Sequence, residues 1–168
     1  MNKLHLGCGK NYYKGWINLD RNPDNFCDIL HNLDTYPWPF EDNSLDEIWA
    51  DQLLEHLSDV PKAVREVHRI LKPGGVFNGQ VPYCGSVWAF IDPTHKAFFS
   101  ERSFLYYSKD AHYGIQKLSG VTFSIVKTKL VGNTNTALAR LRNCIPFRNL
   151  LKWFLWNMYD GVKFYMVK

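Results

Sequence analysis

Gly7-Cys8-Gly9 and Asp20 are the residues whose types and spacing most directly imply chemistry. The glycines follow the short apolar run Lys3-Leu4-His5-Leu6, and the acid follows Gly15-Trp16-Ile17-Asn18-Leu19. A glycine has no Cβ, so a ligand can approach its backbone closely. A carboxylate at the end of a neighbouring strand can accept hydrogen bonds from both hydroxyls of a ribose. Together these residues describe a corner of an α/β sheet that holds a nucleoside. Gly-x-Gly by itself is common, so the reading gains its weight from segments further along the chain.

Two imidazoles could move a proton. His95 lies in Asp92-Pro93-Thr94-His95 and is the first candidate base, with Asp92 as the acid that would orient it. His56, within Glu55-His56-Leu57, is the second. Each has a plain structural alternative. Asp92 can cap a turn started by Pro93, and His56 can bond to backbone where a helix begins. The four cysteines, Cys8, Cys27, Cys84 and Cys144, form no C-x-x-C pair. That argues against a zinc site and against a disulfide framework. No metal-ligand cluster is evident along the chain.

The elements that must position these residues alternate in type. Residues 3–6 and 17–20 read as strands, 27–30 as a short third strand, and 45–50 as a fourth. Pro37 and Pro39 exclude a helix interior around Trp38. From Ser58 the period changes: Ala63, Val64, Val67, Ile70 and Leu71 recur at helical spacing. Ser58 or Asp59 can cap that helix, Pro61 suits its first turn, and Lys72-Pro73-Gly74-Gly75 ends it. Residues 76–81 read as a strand and 82–99 as a loop rich in Pro and aromatics. Ser100 can cap a short helix to about Tyr107. Residues 121–129 read as a strand, 147–158 as a helix and 162–167 as a last strand. Strands alternating with short connections and helices argue for a parallel α/β sheet.

The chain has 168 residues, enough for one domain with a real core. It has no run of 18 apolar residues, so no membrane-spanning helix is expected. The first residues already resemble a strand, which predicts no signal peptide. Widely spaced cysteines make a reducing cytoplasm the default compartment. Residues 1–108 carry 10 Lys and Arg against 14 Asp and Glu, whereas residues 109–168 carry 10 against 2. Such asymmetry points to an anionic partner at the C-terminal end or to a solvated basic face. The basic residues are dispersed, which weakens the case for nucleic acid. Residues 147–158 are apolar nearly all round, so that helix should pack on the sheet, or else lie on a membrane surface flanked by Arg148, Lys152, Lys163 and Lys168.

Five segments in order resemble the class I S-adenosylmethionine-dependent methyltransferases, and among them the methyltransferase type 11 group. They are Leu4 to Gly9, Gly15 to Asp20, Pro37 to Ile48, Leu54 to Leu57 and Arg69 to Gly75. The resemblance covers roughly residues 3–105. It implies a Rossmann-like α/β sandwich with a mostly parallel sheet of about seven strands, the last antiparallel. It implies S-adenosylmethionine as cofactor, with Gly7, Cys8 and Gly9 under its methionine part and Asp20 on its ribose. Arg21, Asn32 and Leu33 would line the adenine pocket, and Asp51 would sit where cofactor meets acceptor. The family often has an acid where Asn32 stands; here the acid is Asp34. Most relatives place a full helix between the first two strands. Here residues 7–16 leave room for an irregular loop or a single helical turn.

The function implied is methyl transfer to a small-molecule or saccharide-type acceptor held over residues 82–99. A methyltransferase-like binding module without catalysis and an RNA methyltransferase remain as alternatives. Trp88, Phe90, Phe98, Phe99, Tyr106 and Tyr107 would stack on the acceptor or form a lid packed on the sheet.

Overall fold

Seven strands form one sheet in the order β3-β2-β1-β4-β5-β7-β6. In chain order they are β1 Lys3–Leu6, β2 Ile17–Asp20, β3 Ile29–Leu30, β4 Leu45–Asp51, β5 Leu71–Pro82, β6 Ile125–Val131 and β7 Gly161–Val167. This arrangement comes from a computed structural model that describes residues 1–109 and 120–168. Strands β1 to β5 pair in parallel, and β7 runs antiparallel to both β5 and β6. The sheet is therefore mostly parallel, with an antiparallel last strand. No helix forms between β1 and β2; residues 7–16 make turns. Among the described residues no helix is long and apolar enough to cross a membrane.

The parallel pairing decides where the chemistry sits. Leu6 pairs with Leu19 on one side and with Ala50 on the other. The carboxyl ends of β1, β2 and β4 therefore lie side by side, bringing Gly7, Asp20 and Asp51 to one edge. In open α/β sheets this is the edge at which ligands bind.

Helix α1, Val60–Ile70, forms because its apolar residues fall on one face. Ala63, Val64, Val67 and Ile70 are all buried. Burying Val64, Val67 and Ile70 stabilises the fold by about 1.5–3 kcal/mol per side chain. Asp59 caps the helix by accepting a hydrogen bond from the Lys62 amide at 2.8 Å. Ser58 has a different role, since its amide and hydroxyl both donate to Asp34. The helix stops at Ile70, and Lys72 to Gly75 belong to the irregular start of β5, where the register with β4 shifts.

Gly79 lies at the centre of the sheet, paired with Ala50 of β4 and Phe164 of β7. A Cβ there would fall 1.9 Å from the Ala50 carbonyl oxygen and 2.8 Å from the Phe164 ring. Gly79→Ala is expected to destabilise the protein by about 1–3 kcal/mol or more. Urea unfolding should give a lower midpoint at unchanged slope. An unchanged midpoint would contradict this packing.

The C-terminal region departs from the sequence reading. Of residues 147–158, only α3, Arg148–Leu151, is helical; the short helix α2, Ala137–Asn143, precedes it. Tertiary bonds hold the remainder in turns. Arg148 bonds the Met158 carbonyl and lies over the Tyr159 ring, Lys152 pairs with Glu101, and the Asn157 side chain accepts from the Val87 amide. Trp153, Phe154, Leu155 and Trp156 are consequently exposed rather than packed on the sheet.

Candidate functional site

Two neighbouring cavities open at the carboxyl edge of the sheet, and His56 lines both. The smaller, about 220 Å³, is bounded by Gly7, Asp20, Arg21, Asn32, Leu33 and Asp34 among others. The larger, about 740 Å³, is bounded by Asp51, Glu55, His95, Gln80 and Trp88, and by residues 131–135 and 160–163 from the C-terminal part.

Asp20 is the anchor of the smaller cavity. It is buried, with one carboxylate oxygen accepting from the Gly9 amide and the other from the Asn22 amide, each at 2.8 Å. Burial pushes its pKa up, but these backbone donors outweigh that effect and hold it below the usual carboxylate value. The group is therefore ionised and purely an acceptor, with the Asn25 side chain and the Arg21 amide as further donors to it. Gly7 and Gly9 both take positive φ, 60° and 54°. At Gly7 a Cβ would strike Leu53 at 2.6 Å, and at Gly9 it would meet open space. The loop thus turns sharply while leaving room beside its backbone.

The other residues of this corner divide into those that line the cavity and those that do not. Arg21, Asn32 and Leu33 line it. Cys8 lines neither cavity; burial pushes its thiol up to about 11, and its sulfur faces the Phe26 and Gly9 carbonyls. It is a small buried filler. Asp51 lines the larger cavity alone. Both oxygens of Asp34 accept from Ser58 at 2.9 Å, with Lys96 nearby at 3.7 Å.

His95 and Asp92 do not pair. Asp92 accepts from the amide and hydroxyl of Thr94, at 2.8 and 2.7 Å, closing a turn over Pro93. These bonds hold it below the usual carboxylate value. The Thr94 oxygen in turn meets Nδ1 of His56 at 2.9 Å. Thr94 has one hydroxyl hydrogen, already given to Asp92, so His56 must donate from Nδ1. The acid thus orients His56, through Thr94, and not His95. His95 instead donates from Nδ1 to the Ala89 carbonyl at 2.9 Å. In both rings Nε2 is left as the basic nitrogen. Burial, and then the adjacent His95, push His56 below the ordinary histidine range. The two rings meet edge to face with centroids 4.7 Å apart.

Glu55 is the residue that sequence reasoning missed. It is fully buried, and neither carboxyl oxygen has a hydrogen-bond partner among the described residues. Burial, with smaller contributions from Asp51 and Asp92, pushes its pKa up to about 8. The only signal in the sequence was its place before His56. The aromatics of the 82–107 region divide as well. Phe99 and Tyr107 are core residues, whereas Trp88, Phe90 and Phe98 are exposed, with Phe90 stacked on Phe98 at 4.8 Å.

The comparisons with known proteins agree with this geometry. Residues 4–78 match the family model described as a methyltransferase domain. A S-adenosylmethionine-dependent methyltransferase from Archaeoglobus fulgidus superposes with a TM-score of 0.71 at 17% identity, covering 99% of this chain and 86% of that one. The matched segment is thus similar to a methyltransferase domain, and the chain has the fold of the class I S-adenosylmethionine-dependent methyltransferases. S-adenosylmethionine is the cofactor of that family, and the residues of the smaller cavity fit it. An ionised acceptor, Asp20, stands in the cavity wall beside an unobstructed glycine loop. A second methyltransferase-fold neighbour is the Haloferax volcanii putative methyltransferase in complex with the Trm112 activator, with a TM-score of 0.64 at 17% identity, covering 99% and 81% of the two chains. Among curated proteins, the human mitochondrial arginine-hydroxylase NDUFAF5 is 31% identical over 93 residues. That match covers 45% of this chain and 27% of the human protein.

Proposed function

We propose that this chain is an enzyme that transfers the methyl group of S-adenosylmethionine to a small hydroxyl-rich acceptor of saccharide type. The observation that carries this reading is the larger cavity, which adjoins the cofactor cavity at His56 and is dense in hydrogen-bonding groups. Gln52, Gln80, Asn133, Thr134, Asn135 and Lys163 all line it. Such a wall suits an acceptor recognised by many hydrogen bonds.

In this reading Asp20 accepts the two ribose hydroxyls, with its carboxylate held in place by Gly9 and Asn22. Gly9 leaves room for the methionine part, Gly7 supplies the turn against Leu53, and Leu33 and Leu53 give apolar walls to a flat ring. Asn32 takes the position next to the adenine amino group, because Asp34 is committed to Ser58. Arg21 closes the open side. The sulfonium of the bound cofactor supplies an electrophilic methyl group. The protein's tasks are to align the acceptor and to receive its proton. His56 and His95 are the groups at the meeting of the cavities able to do the second.

His95 lines the larger cavity and not the smaller one. His95→Ala is therefore expected to bind S-adenosylhomocysteine as the wild type does. Its turnover should fall about 100- to 10,000-fold, the range of a lost acid–base group. Equal turnover in mutant and wild type would refute a role for His95 in transfer. A second reading comes from the human relative's name and is favoured by the acids Asp51, Glu55 and Asp92 in the cavity wall. It makes the acceptor an arginine side chain. A screen of saccharides and arginine peptides, read by acceptor-dependent release of S-adenosylhomocysteine, separates the two.

A further inference from the structure

We infer that Glu55, His56 and His95 form a binding site for a divalent transition-metal ion, of the zinc or ferrous-iron kind. One potential ligand atom from each of the three side chains lies within 4.8 Å of the others. Two imidazoles and one carboxylate are a donor set that both ions take.

Three separate observations support the site. The first is Glu55 itself. A buried carboxyl with both oxygens unpartnered is costly unless something compensates it. Glu55 is fully buried, and it borders the larger cavity together with both histidines. A cation there would supply what the surrounding protein does not.

The second is the way the two rings are held. A metal-ligating histidine almost always gives its other N–H to a carbonyl, a carboxylate or water, which fixes the tautomer. His95 gives Nδ1–H to the Ala89 carbonyl at 2.9 Å. His56 gives Nδ1–H to the Thr94 hydroxyl at 2.9 Å, and that hydroxyl gives its own hydrogen to Asp92 at 2.7 Å. Both rings are thus left with a basic Nε2.

The third is that the backbone brings the distant ligand into place. His95 comes from a loop far along the chain from Glu55. The Glu55 carbonyl accepts from the amides of Lys96 and Ala97, at 2.7 and 3.2 Å. Those bonds tie the His95 loop to the short helical turn that carries Glu55 and His56. Tetrahedral zinc with bonds of about 2.0–2.1 Å needs its ligand atoms roughly 3.3 Å apart, a separation inside the 4.8 Å that spans these three.

The ion would lie in the wall shared by the two cavities, facing the larger one. With both Nε2 atoms taken as ligands neither ring would serve as the base; the ion would instead coordinate an oxygen of the acceptor and lower that oxygen's pKa. The binding site itself does not depend on methyl transfer being the activity.

The test uses the full chain, stripped with a chelator and titrated with zinc against a chromophoric competitor. One zinc per chain is expected. Glu55→Gln and His95→Ala should each weaken zinc by at least about 100-fold, the upper end of what an outer-shell change costs. His68→Gln, on the far helix α1, should leave the affinity unchanged. X-ray absorption on the zinc-loaded wild type needs no variant, and should report two imidazoles, oxygen and no sulfur. Absence of stoichiometric zinc, equal affinity in the Glu55 and His95 variants, or sulfur ligation would each overturn the site.

Discussion

Asp20→Ala is expected to weaken S-adenosylhomocysteine binding by about 10- to 150-fold, the loss of roughly 1.5–3 kcal/mol of charge-assisted hydrogen bonding. The effect has two sources. The substitution removes the acceptor proposed for the ribose hydroxyls. It also frees the Gly9 and Asn22 amides, which the carboxylate holds at 2.8 Å, so the glycine loop loses its support. Asp20→Asn should fall between, because an amide has one carbonyl oxygen and can satisfy only part of this set. Calorimetric titration of the three proteins checks the order. Affinities for wild type and Asp20→Ala within twofold of each other would show that the ribose is held elsewhere.

Trp38→Ala is expected to cost about 3–5 kcal/mol of stability, the range for removing a buried aromatic. Trp38 is 2% exposed, and its indole N–H donates to the Leu33 carbonyl at 3.0 Å. Its backbone is tied to helix α1 as well. The Trp38 amide donates to Glu66 at 2.8 Å, and its carbonyl accepts from Arg69 at 3.1 Å. Loss of the ring opens a cavity and strands the Leu33 carbonyl. Because Leu33 lines the cavity proposed for the cofactor, cofactor affinity should fall with stability. Trp38→Phe fills most of the volume and lacks the N–H, so its cost should be smaller. Urea unfolding followed by circular dichroism measures both. A loss below about 1 kcal/mol for Trp38→Ala would contradict this packing.

The juxtaposition of Gly7, Asp20 and Asp51 was legible in the sequence because its determinants are local. Two short apolar runs end in glycine and in acid, and parallel pairing places those ends together without further information. Helix α1 was legible for the same kind of reason: one apolar face, a capping Asp59 and a proline in its first turn. The misreadings arose where distant contacts decide. Lys72 to Gly75 looked like a helix stop ahead of a strand at 76–81, yet pairing of Leu71 and Val76 with β4 and bonds from Gly74 and Gly75 to Lys168 draw them into β5. The apolar run at 147–158 looked like one helix, yet Arg148, Lys152 and Asn157 are each claimed by partners outside a helical ladder. His95 was read with Asp92 because they are neighbours in sequence. The fold instead commits Asp92 to Thr94 and His56. Glu55 is the clearest case, since nothing local distinguishes a buried, unpartnered glutamate from one in solvent.

The charge asymmetry also acquired a structural location. Basic Lys163, on β7, lines the larger cavity together with Asp51, and Arg142 pairs with Asp160, another residue of its wall. Arg142 is thus used inside the fold, whereas Lys163 is exposed at the cavity's rim.

In the function proposed, the cavity around Asp20 holds S-adenosylmethionine. Calorimetric titration of the wild-type protein with S-adenosylmethionine and S-adenosylhomocysteine, with a nicotinamide dinucleotide as control, tests it most directly. Saturable binding of both sulfur nucleosides at one site per chain, with no heat from the control, is the predicted result. No saturable binding of either would contradict the account.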